Sequence, residues 1–455
     1  MRRVVKVSRI RIIITIIVVV LTTLLTGCTG KEPNEIAYVV ALGIDSTDDD
    51  NYKITIQYAN PTQISGGASE SGGKAGSEIV DNVTIAPNIY AGVGLANNIV
   101  SKSFSMSHAK LIVFSKEIAE KGVKDMIETL VRSEEIRPDV FIAVANTTAN
   151  DYLTSVNPEM EVNPAQYYQL IYQKNQLVGI PDGQLREFFT GLYTDNYDSI
   201  LPVAGVIEGA GGNSQNDDKG QSKDGQNEGS EGSSESLDSF ESKSSDDKDE
   251  NEKEKDAEKN TSKYEYDIKN YVGGETAIEK KNKAEAIGAA VFEKDKMVGE
   301  LGEVETEICK MLKGDYTYSY LTYYNNDTPD IPITVKTTQQ KKPKYKIDTD
   351  KKTVDIELYI ESDLYSLPAD YNVENKIEDF ERDVANYTSS TCTKFINNFT
   401  KKYNSDILKL NEKVKYKFLT NNQYNWFKKN VGWSEYKFSV CTNFKVRRTG
   451  LIVRE

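Results

Sequence analysis

Histidine is almost absent from this chain of 455 residues, which contains only His108. Enzymes of the common hydrolytic classes need a base that works near neutral pH, and that base is most often an imidazole. The sequence also lacks an H-E-x-x-H zinc motif, a G-x-S-x-G nucleophile turn, a phosphate-binding loop and a C-x-x-C pair. We therefore predict no enzyme and assign no catalytic residue, no cofactor and no metal ligand. His108, just before a strand, is predicted to have a structural or capping role.

Cysteine is scarce as well, with four residues in the chain. Cys28 belongs to the leader described below, which leaves Cys309, Cys392 and Cys441 without close spacing. An odd number of widely spaced thiols does not indicate a disulfide framework. The sequence leaves two alternatives open: one disulfide with a free thiol, or three buried free thiols.

Acidic residues outnumber basic residues, and most of the excess comes from one segment. The chain has 56 Lys and Arg against 70 Asp and Glu, a net charge of −14. Residues 211–260 alone contain 16 acidic and 7 basic residues, with only three apolar side chains. Such a composition cannot bury enough surface to fold, so we predict a disordered acidic linker over 207–280, with calcium buffering or protein binding as the alternative role. No basic stripe indicates a nucleic acid partner.

Long apolar runs are absent apart from one at the amino terminus. Ile12 to Leu25 is an apolar run of about fourteen residues behind five basic residues, shorter than the roughly twenty that span a bilayer. It ends in Leu25-Thr26-Gly27-Cys28, the pattern of a lipoprotein signal peptide. We predict cleavage after residue 27 and lipidation of Cys28 with acyl chains such as palmitate, which together anchor a protein stably. An uncleaved membrane anchor is the alternative.

Apolar periodicity predicts a mixed α/β amino-terminal domain over 28–206, or two subdomains divided near residue 150. Ile36 to Ile44 and Tyr52 to Ala59 are predicted to form a β-hairpin. The four aspartates between these strands lack the glycine and glutamate of a calcium loop, so we predict a solvated turn. Further strands are predicted at 111–114 and 139–145, separated by one helix over Lys116 to Val131.

The carboxy-terminal part, 281–455, is predicted to be an α+β domain in which a long helix packs on an antiparallel sheet. The helix is predicted over Val373 to Tyr403, where apolar residues recur at three- and four-residue intervals. Two hairpins precede it, and Val414 to Phe418 and Phe438 to Val453 are predicted as closing strands. A tyrosine row at positions 316, 318 and 320 suits packing of a sheet face better than a ligand platform.

These motifs together resemble the Ger(x)C family, the lipoprotein C subunits of bacterial spore germinant receptors. Beyond the leader, the resemblance rests on 35–45 (EIAYVVALGID), 52–61 (YKITIQYANP), 107–114 (SHAKLIVF), 118–122 (IAEKG), 132–139 (RSEEIRPD), 288–299 (GAAVFEKDKMVG), Asp406 and 448–451 (RTGL). It covers nearly the whole chain except an insert over 66–76 and the acidic segment.

The resemblance implies a non-enzymatic subunit anchored through Cys28 on the outer face of the inner spore membrane. It further implies integral membrane A and B subunits as partners in nutrient-triggered germination. Two other functions stay open on the residues alone. One is a solute-binding lipoprotein of a transporter, and the other is a cell-wall hydrolase that uses a carboxylate pair.

Overall fold

The computed structural model describes residues 13–17, 35–59, 79–158, 161, 164–173, 179–207, 270–276, 282–324, 332–366, 376–403 and 405–449. The predicted lipidation site Cys28 and most of the predicted linker lie outside these residues. Below, the N-terminal half means the described residues 35–207, and the C-terminal half means 270–449. The fold is α+β with two mixed sheets and packed helices, as predicted.

Within the described residues the first sheet has nine strands, in the order β3-β2-β1-β5-β6-β7-β8-β9, with β4 paired to β1. The strands are β1 (Ile36–Ser46), β2 (Tyr52–Ala59), β3 (Ile79–Ala86), β4 (Ser103–Ser105), β5 (Leu111–Ser115), β6 (Phe141–Ala145), β7 (Ile200–Val206), β8 (Ala284–Glu293) and β9 (Lys296–Leu301). The central strands β1, β5, β6 and β7 are parallel, and the outer strands pair antiparallel. Every residue of β5 and β6 is buried, because helices cover both faces of the sheet.

The helices of the N-terminal half connect these strands. They are α1 (Ile89–Asn97), α2 (Lys116–Lys121), α3 (Lys124–Val131), α4 (Ala149–Ser155), α5 (Pro164–Gln173) and α6 (Leu185–Thr194). The single helix predicted over 116–131 is wrong, because the chain breaks at Gly122 with φ of 124°. A Cβ at this position would lie 2.7 Å from the Asp295 carboxylate in the β8–β9 turn, so the break lets that turn approach.

The second sheet belongs wholly to the C-terminal half. Its strands are β10 (Tyr318–Tyr324), β11 (Pro332–Gln339), β12 (Lys344–Asp348), β13 (Thr353–Ser366) and β14 (Lys437–Arg448). Strands β11 and β12 pair antiparallel with successive parts of β13, and β14 pairs parallel with it. The sheet is therefore mixed, and the antiparallel sheet predicted beside the long helix is wrong for β14. The helices are α7 (Glu303–Lys313), α8 (Ile377–Lys402), α9 (Leu410–Val414) and α10 (Asn421–Asn430). The strand predicted at 414–418 is wrong: this segment ends α9 and forms a 3₁₀ turn over Lys415–Lys417.

Helix α8 covers the edge of β14 with polar side chains spaced one or two turns apart. Asn397 Oδ1, Thr393 Oγ1, Ser389 Oγ and Glu381 Oε1 accept hydrogen bonds from the backbone N–H groups of Phe438, Val440, Thr442 and Val446, at 2.8–3.1 Å. An uncovered strand edge invites pairing with another chain. The polar residues inside this otherwise amphipathic helix therefore satisfy a strand edge that would otherwise face solvent.

The three cysteines of the described chain are free. Cys309 and Cys392 are buried, and Cys441 is exposed. Burial raises the pKa of both Cys309 and Cys392 to about 12, which keeps these thiols protonated and unreactive. Of the two open alternatives, the structure agrees with free thiols, although only two of the three are buried.

Candidate functional site: a charged cavity where the two halves meet

The two halves are joined by strand pairing across the acidic segment. Strand β7 pairs antiparallel with β8 from Ile200 opposite Val291 to Val206 opposite Ala284. Residues 270–276 lie against this junction, where the Gly273 N–H donates to the Ile287 carbonyl oxygen at 2.9 Å. A Cβ on Gly205 would lie 1.9 Å from the Gly273 carbonyl carbon, so the backbones meet without an intervening side chain. The first sheet is therefore built from both halves.

Two aspartates form a second link, which we call the Asp198–Asp406 junction. The Asp406 N–H donates to Asp198 Oδ2 at 2.8 Å, and the Asp198 N–H donates to the Asp406 carbonyl oxygen at 3.2 Å. Asp198 Oδ1 also accepts from the Lys294 N–H at 2.9 Å, in the β8–β9 turn. Three segments distant in sequence thus meet at the Asp198 carboxylate.

Asp406 also starts helix α9. Its two carboxylate oxygens accept from the backbone N–H groups of Leu410 and Asn411, both at 2.8 Å, and its side chain is buried. Burial raises the pKa of Asp406 to about 7, against the lowering effect of these N–H donors and of Lys413. Burial likewise raises the pKa of Asp198. The junction therefore contains two carboxyl groups that are both biased toward the protonated form.

Beside the junction lies a polar cavity of about 350 Å³ between helix α6 and the residues that follow helices α7 and α8. Its lining combines residues of both halves: Pro181, Asp182, Glu187 and Ile200 from the first, and Lys310, Lys313, Gly314, Asp315, Tyr316, Thr317 and Lys409 from the second. A narrower pocket that shares Glu187 and Lys313 extends from it to Asp198. The cavity and the junction are thus neighbouring parts of one interface.

The cavity lining carries three lysines and three carboxylates that offset one another. Lys409 Nζ lies 2.6 Å from Glu187 Oε1, and Lys313 Nζ lies 3.7 Å from Asp315 Oδ2. Burial opposes ionisation of Glu187, yet the nearby Lys313 and Lys409 outweigh it and lower its pKa. Burial raises the pKa of Asp182. Charges of both signs in one enclosed space suit a small zwitterion or ordered water.

Lys310 is the least expected member of this lining. It is only 4% exposed, and its Nζ donates to the Ile180 carbonyl oxygen at 3.1 Å. Burial lowers its pKa, because desolvation disfavours the ammonium form. Sequence reasoning missed this residue, although its position between apolar Ile308, Met311 and Leu312 on α7 was a usable signal for a buried cation.

The aspartates at the end of β1 and in the β1–β2 turn lie in two environments. Asp48, Asp49 and Asp50 are exposed in the β1–β2 turn, as predicted. Asp45 is buried, and its carboxylate accepts from the N–H groups of Ala149 at 2.6 Å and Asn150 at 3.0 Å. The prediction of a solvated turn is therefore wrong for Asp45, which caps the start of α4 instead.

His108 and the tyrosine row lie apart from the cavity, with one exception. His108 is exposed and packs edge-on against the Tyr38 ring of β1 at 4.5 Å, a packing contact that agrees with a structural role. Tyr318 and Tyr320 pack edge-to-face on β10 at 6.4 Å. Tyr316 precedes that strand, lines the cavity and shares a hydrogen bond with Thr337. Of the three tyrosines in the predicted row, Tyr318 and Tyr320 therefore pack together on β10, whereas Tyr316 lines the cavity.

The described ranges contain neither a metal-binding cluster nor a membrane-spanning helix. Those ranges contain no group of three or more His, Cys, Asp or Glu side chains arranged to hold a metal ion. Nor do they include a helix that is both long and apolar enough to cross a bilayer.

Two family profiles match the chain in order. Residues 30–206 match the domain described as the spore germination protein N-terminal domain, and residues 287–450 match the spore germination B3/GerAC-like C-terminal domain. The chain belongs to the Ger(x)C family of spore germination proteins. The family resemblance inferred from the motifs is thereby confirmed.

Individual relatives share limited sequence identity with this chain, and over only part of its length. The chain is similar to spore germination protein KC of Bacillus subtilis strain 168, with 26% identity over 35% of this chain and 42% of that protein. It is also similar to the putative spore germination protein YfkR of the same strain, with 30% identity over 31% of this chain and 37% of that protein. The chain thus aligns with less than half the length of either relative. The crystal structure of the GerBC protein aligns with 89% of this chain and 96% of its own length, at 15% identity and a TM-score of 0.48.

Proposed function

We propose that this chain is the lipid-anchored C subunit of a spore nutrient germinant receptor. In this proposal acyl chains on Cys28 hold it at the outer face of the inner spore membrane, and it assembles with integral membrane A and B subunits. The observation that carries the proposal is the match of both germination-protein domains in their family order, over 30–206 and 287–450. The leader ending at Cys28 supports the anchor.

The anchor would hold the folded part close to the bilayer. The described strand β1 begins at Ile36, eight residues after Cys28. A fully extended chain advances at most about 3.6 Å per residue, so the tether reaches no more than about 29 Å. A tether this short favours contact between the folded halves and membrane-embedded partners.

We further propose that the subunit acts by contact and not by catalysis. The cavity carboxylates Glu187 and Asp315 each face a lysine, and Asp198 and Asp406 each accept backbone N–H donors. Groups committed to such partners suit an interface between two halves of one body. Shared strands and the Asp198–Asp406 junction would let a force or contact on one half reach the other.

The test is nutrient-triggered dipicolinate release from spores that lack this gene and its paralogues. The deletion strain is complemented with the natural gene, with Cys28→Ala or with Cys441→Ala, and a non-nutrient trigger serves as control. We expect Cys28→Ala to lose membrane attachment and the response to some nutrients. Cys441→Ala should behave like the natural protein, because Cys441 is an exposed free thiol outside the leader. An unchanged response of the deletion strain to every nutrient would contradict the proposal.

A second candidate function, a solute-binding lipoprotein, is favoured by the cavity alone. Its offset charges and its volume of about 350 Å³ suit a small zwitterion. Calorimetry with pooled nutrients on the mature chain separates the two functions. Saturable binding that Lys313→Gln abolishes would favour the solute-binding protein, whereas absence of heat with every pool would leave the receptor subunit as the better assignment.

A further inference from the structure

One segment of the C-terminal half has a charge opposite to that of the chain. Residues 413–434 contain five lysines and no Asp or Glu, whereas the whole chain has a net charge of −14. The adjoining β12–β13 turn contains two acidic residues, Asp348 and Asp350, and two basic residues, Lys351 and Lys352. It therefore does not change the sign of the segment's net charge. The exposed Glu412 and Glu435 lie at its two ends, and the five lysines still outnumber them, so this part of an acidic protein carries a net positive charge.

The same segment contains three of the most exposed large apolar side chains in the described chain. Leu419 is 95% exposed, Tyr416 is 78% exposed and Trp426 is 68% exposed. Exposed apolar side chains of this size, grouped within eleven residues, mark an interaction surface more often than scattered single residues do. Together with the exposed Lys415 and Lys429, they constitute what we call the basic-aromatic surface.

This surface rests on a packed base. Below it, Phe418 packs against Phe427 at 4.9 Å, and Phe427 packs against the buried Trp433 at 6.1 Å. Lys428 ties helix α10 to the N-terminal half, because its Nζ donates to the Thr194 carbonyl oxygen at 2.9 Å. Through these rings the segment packs on the hydrophobic core of the C-terminal half, so the exposed side chains project from an ordered base.

We propose that the basic-aromatic surface docks on an anionic lipid bilayer. Tryptophan and tyrosine rings favour the membrane–water interface, and lysines extend their ammonium groups to anionic headgroups while their stems lie along apolar surface. Trp426 and Leu419 enter the headgroup region in this arrangement, and Lys415 and Lys429 pair with lipid phosphates. The inference rests on the proposed function in that both place the chain at a membrane.

The acidic segment 211–260 is the competing occupant within this chain. It could neutralise the lysines, but it has only Leu237, Phe240 and Ala257 as apolar residues. Such a segment offers little to cover Trp426 and Leu419. A bilayer supplies both negative charge and an apolar layer, so charge and apolarity together favour the bilayer.

The experiment uses the mature chain from residue 28, made without lipid, so that docking is measured separately from anchoring. Vesicles of phosphatidylglycerol mixed with phosphatidylcholine are compared with vesicles of phosphatidylcholine alone, by co-flotation and intrinsic fluorescence. The chain has two tryptophans, and Trp433 is only 7% exposed, so Trp426 reports the contact. We expect anionic vesicles to shift its emission to the blue, brominated lipid to quench it and added salt to reverse both effects.

Variants identify the surface. Lys415→Gln with Lys429→Gln should weaken binding roughly fivefold for each lysine. Leu419→Ala with Trp426→Ala should weaken it by about tenfold or more, measured by flotation. The matched controls are Lys296→Gln with Lys401→Gln, exposed lysines elsewhere, and Tyr365→Ala, an aromatic residue 59% exposed on the second sheet. Near-ultraviolet circular dichroism checks that each variant is folded.

Three results would overturn the inference. The first is no binding to anionic vesicles, and the second is equal binding by all folded variants. The third is binding only after deletion of 211–260, which would make the acidic segment the occupant of the surface. None of these results depends on spores, so a failed germination test leaves the vesicle result interpretable, and the reverse also holds.

Discussion

Replacement of Asp406 by asparagine should remove a pH dependence of stability that the Asp198–Asp406 junction creates. The folded-state pKa of Asp406 is about 7, because burial outweighs its N–H donors and Lys413. In the unfolded chain an aspartate titrates near about 3.9. The folded state therefore holds the proton more tightly, and this group's contribution to stability is present below about pH 4 and is lost as the pH rises through about 7.

The magnitude follows from the shift. At about 1.4 kcal/mol per pKa unit, a shift of about three units corresponds to about 4 kcal/mol over the whole window, of which about 3 kcal/mol falls between about pH 5 and pH 8. The amide introduced by Asp406→Asn does not titrate, so the difference in unfolding free energy between the natural protein and this variant should change by about that amount. Above about pH 7.5 the variant avoids a buried charge but loses one acceptor for the Leu410 or Asn411 N–H.

The assay is urea unfolding at a series of pH values in a Trp426→Phe background. Trp433 is then the sole tryptophan, and its indole N–H donates to Asn411 Oδ1 at 3.3 Å. The backbone N–H of the same Asn411 donates to Asp406 Oδ2 at 2.8 Å. Asp350→Asn, in an exposed turn, serves as the control for loss of one carboxylate. A free-energy difference that stays constant from about pH 5 to pH 8 would refute the reasoning, since the carboxylate would then be ionised throughout.

Three further substitutions test other parts of the fold by thermal or urea unfolding. Gly205→Ala should destabilise the protein by about 1–3 kcal/mol or more, because the new Cβ would lie 1.9 Å from backbone atoms of the C-terminal half. The control Gly94→Ala should be neutral or stabilising, because the space around a Cβ at this position in α1 is open. Asp45→Ala should lower stability by about 2 kcal/mol through loss of two N–H acceptors at α4, and the exposed Asp49→Ala should not. Ser389→Ala should lower stability by about 1 kcal/mol and increase self-association in light scattering, since it leaves one N–H of the β14 edge unpaired; full stability without association would contradict the edge-covering role.

The sequence predicted most of the local elements because their signals are local. Alternation of apolar residues identified the β1–β2, β8–β9 and β12–β13 hairpins, whose partners are a few residues apart. The spacing of three and four identified α8, which the structure places at Ile377–Lys402. Periodicity did not detect the break at Gly122, since the close approach of Asp295, which leaves no room for a side chain there, comes from another part of the chain.

Apolar alternation and helical spacing did not predict most of the candidate site. Asp198 and Asp406 are 208 positions apart, and neither lies in a periodic pattern that marks it. Asp406 entered the sequence analysis only through the family resemblance. In the sequence, Lys310 and Lys313 are typical of the charged residues on a surface helix. Only the tertiary structure shows that Lys310 is buried and donates to the Ile180 carbonyl oxygen.

The sequence by itself determined the acidic composition of 211–260, the local hairpins, most of the helices, and the family. Tertiary structure alone decided that β7 pairs with β8, that Asp45 caps a helix, and that carboxylates and lysines of two distant halves enclose one cavity. The physical reason is the separation along the chain over which each interaction acts. Periodicity and turn chemistry act between neighbours, whereas burial, pKa shifts and cavity shape depend on contacts that form only when segments more than a hundred residues apart come together.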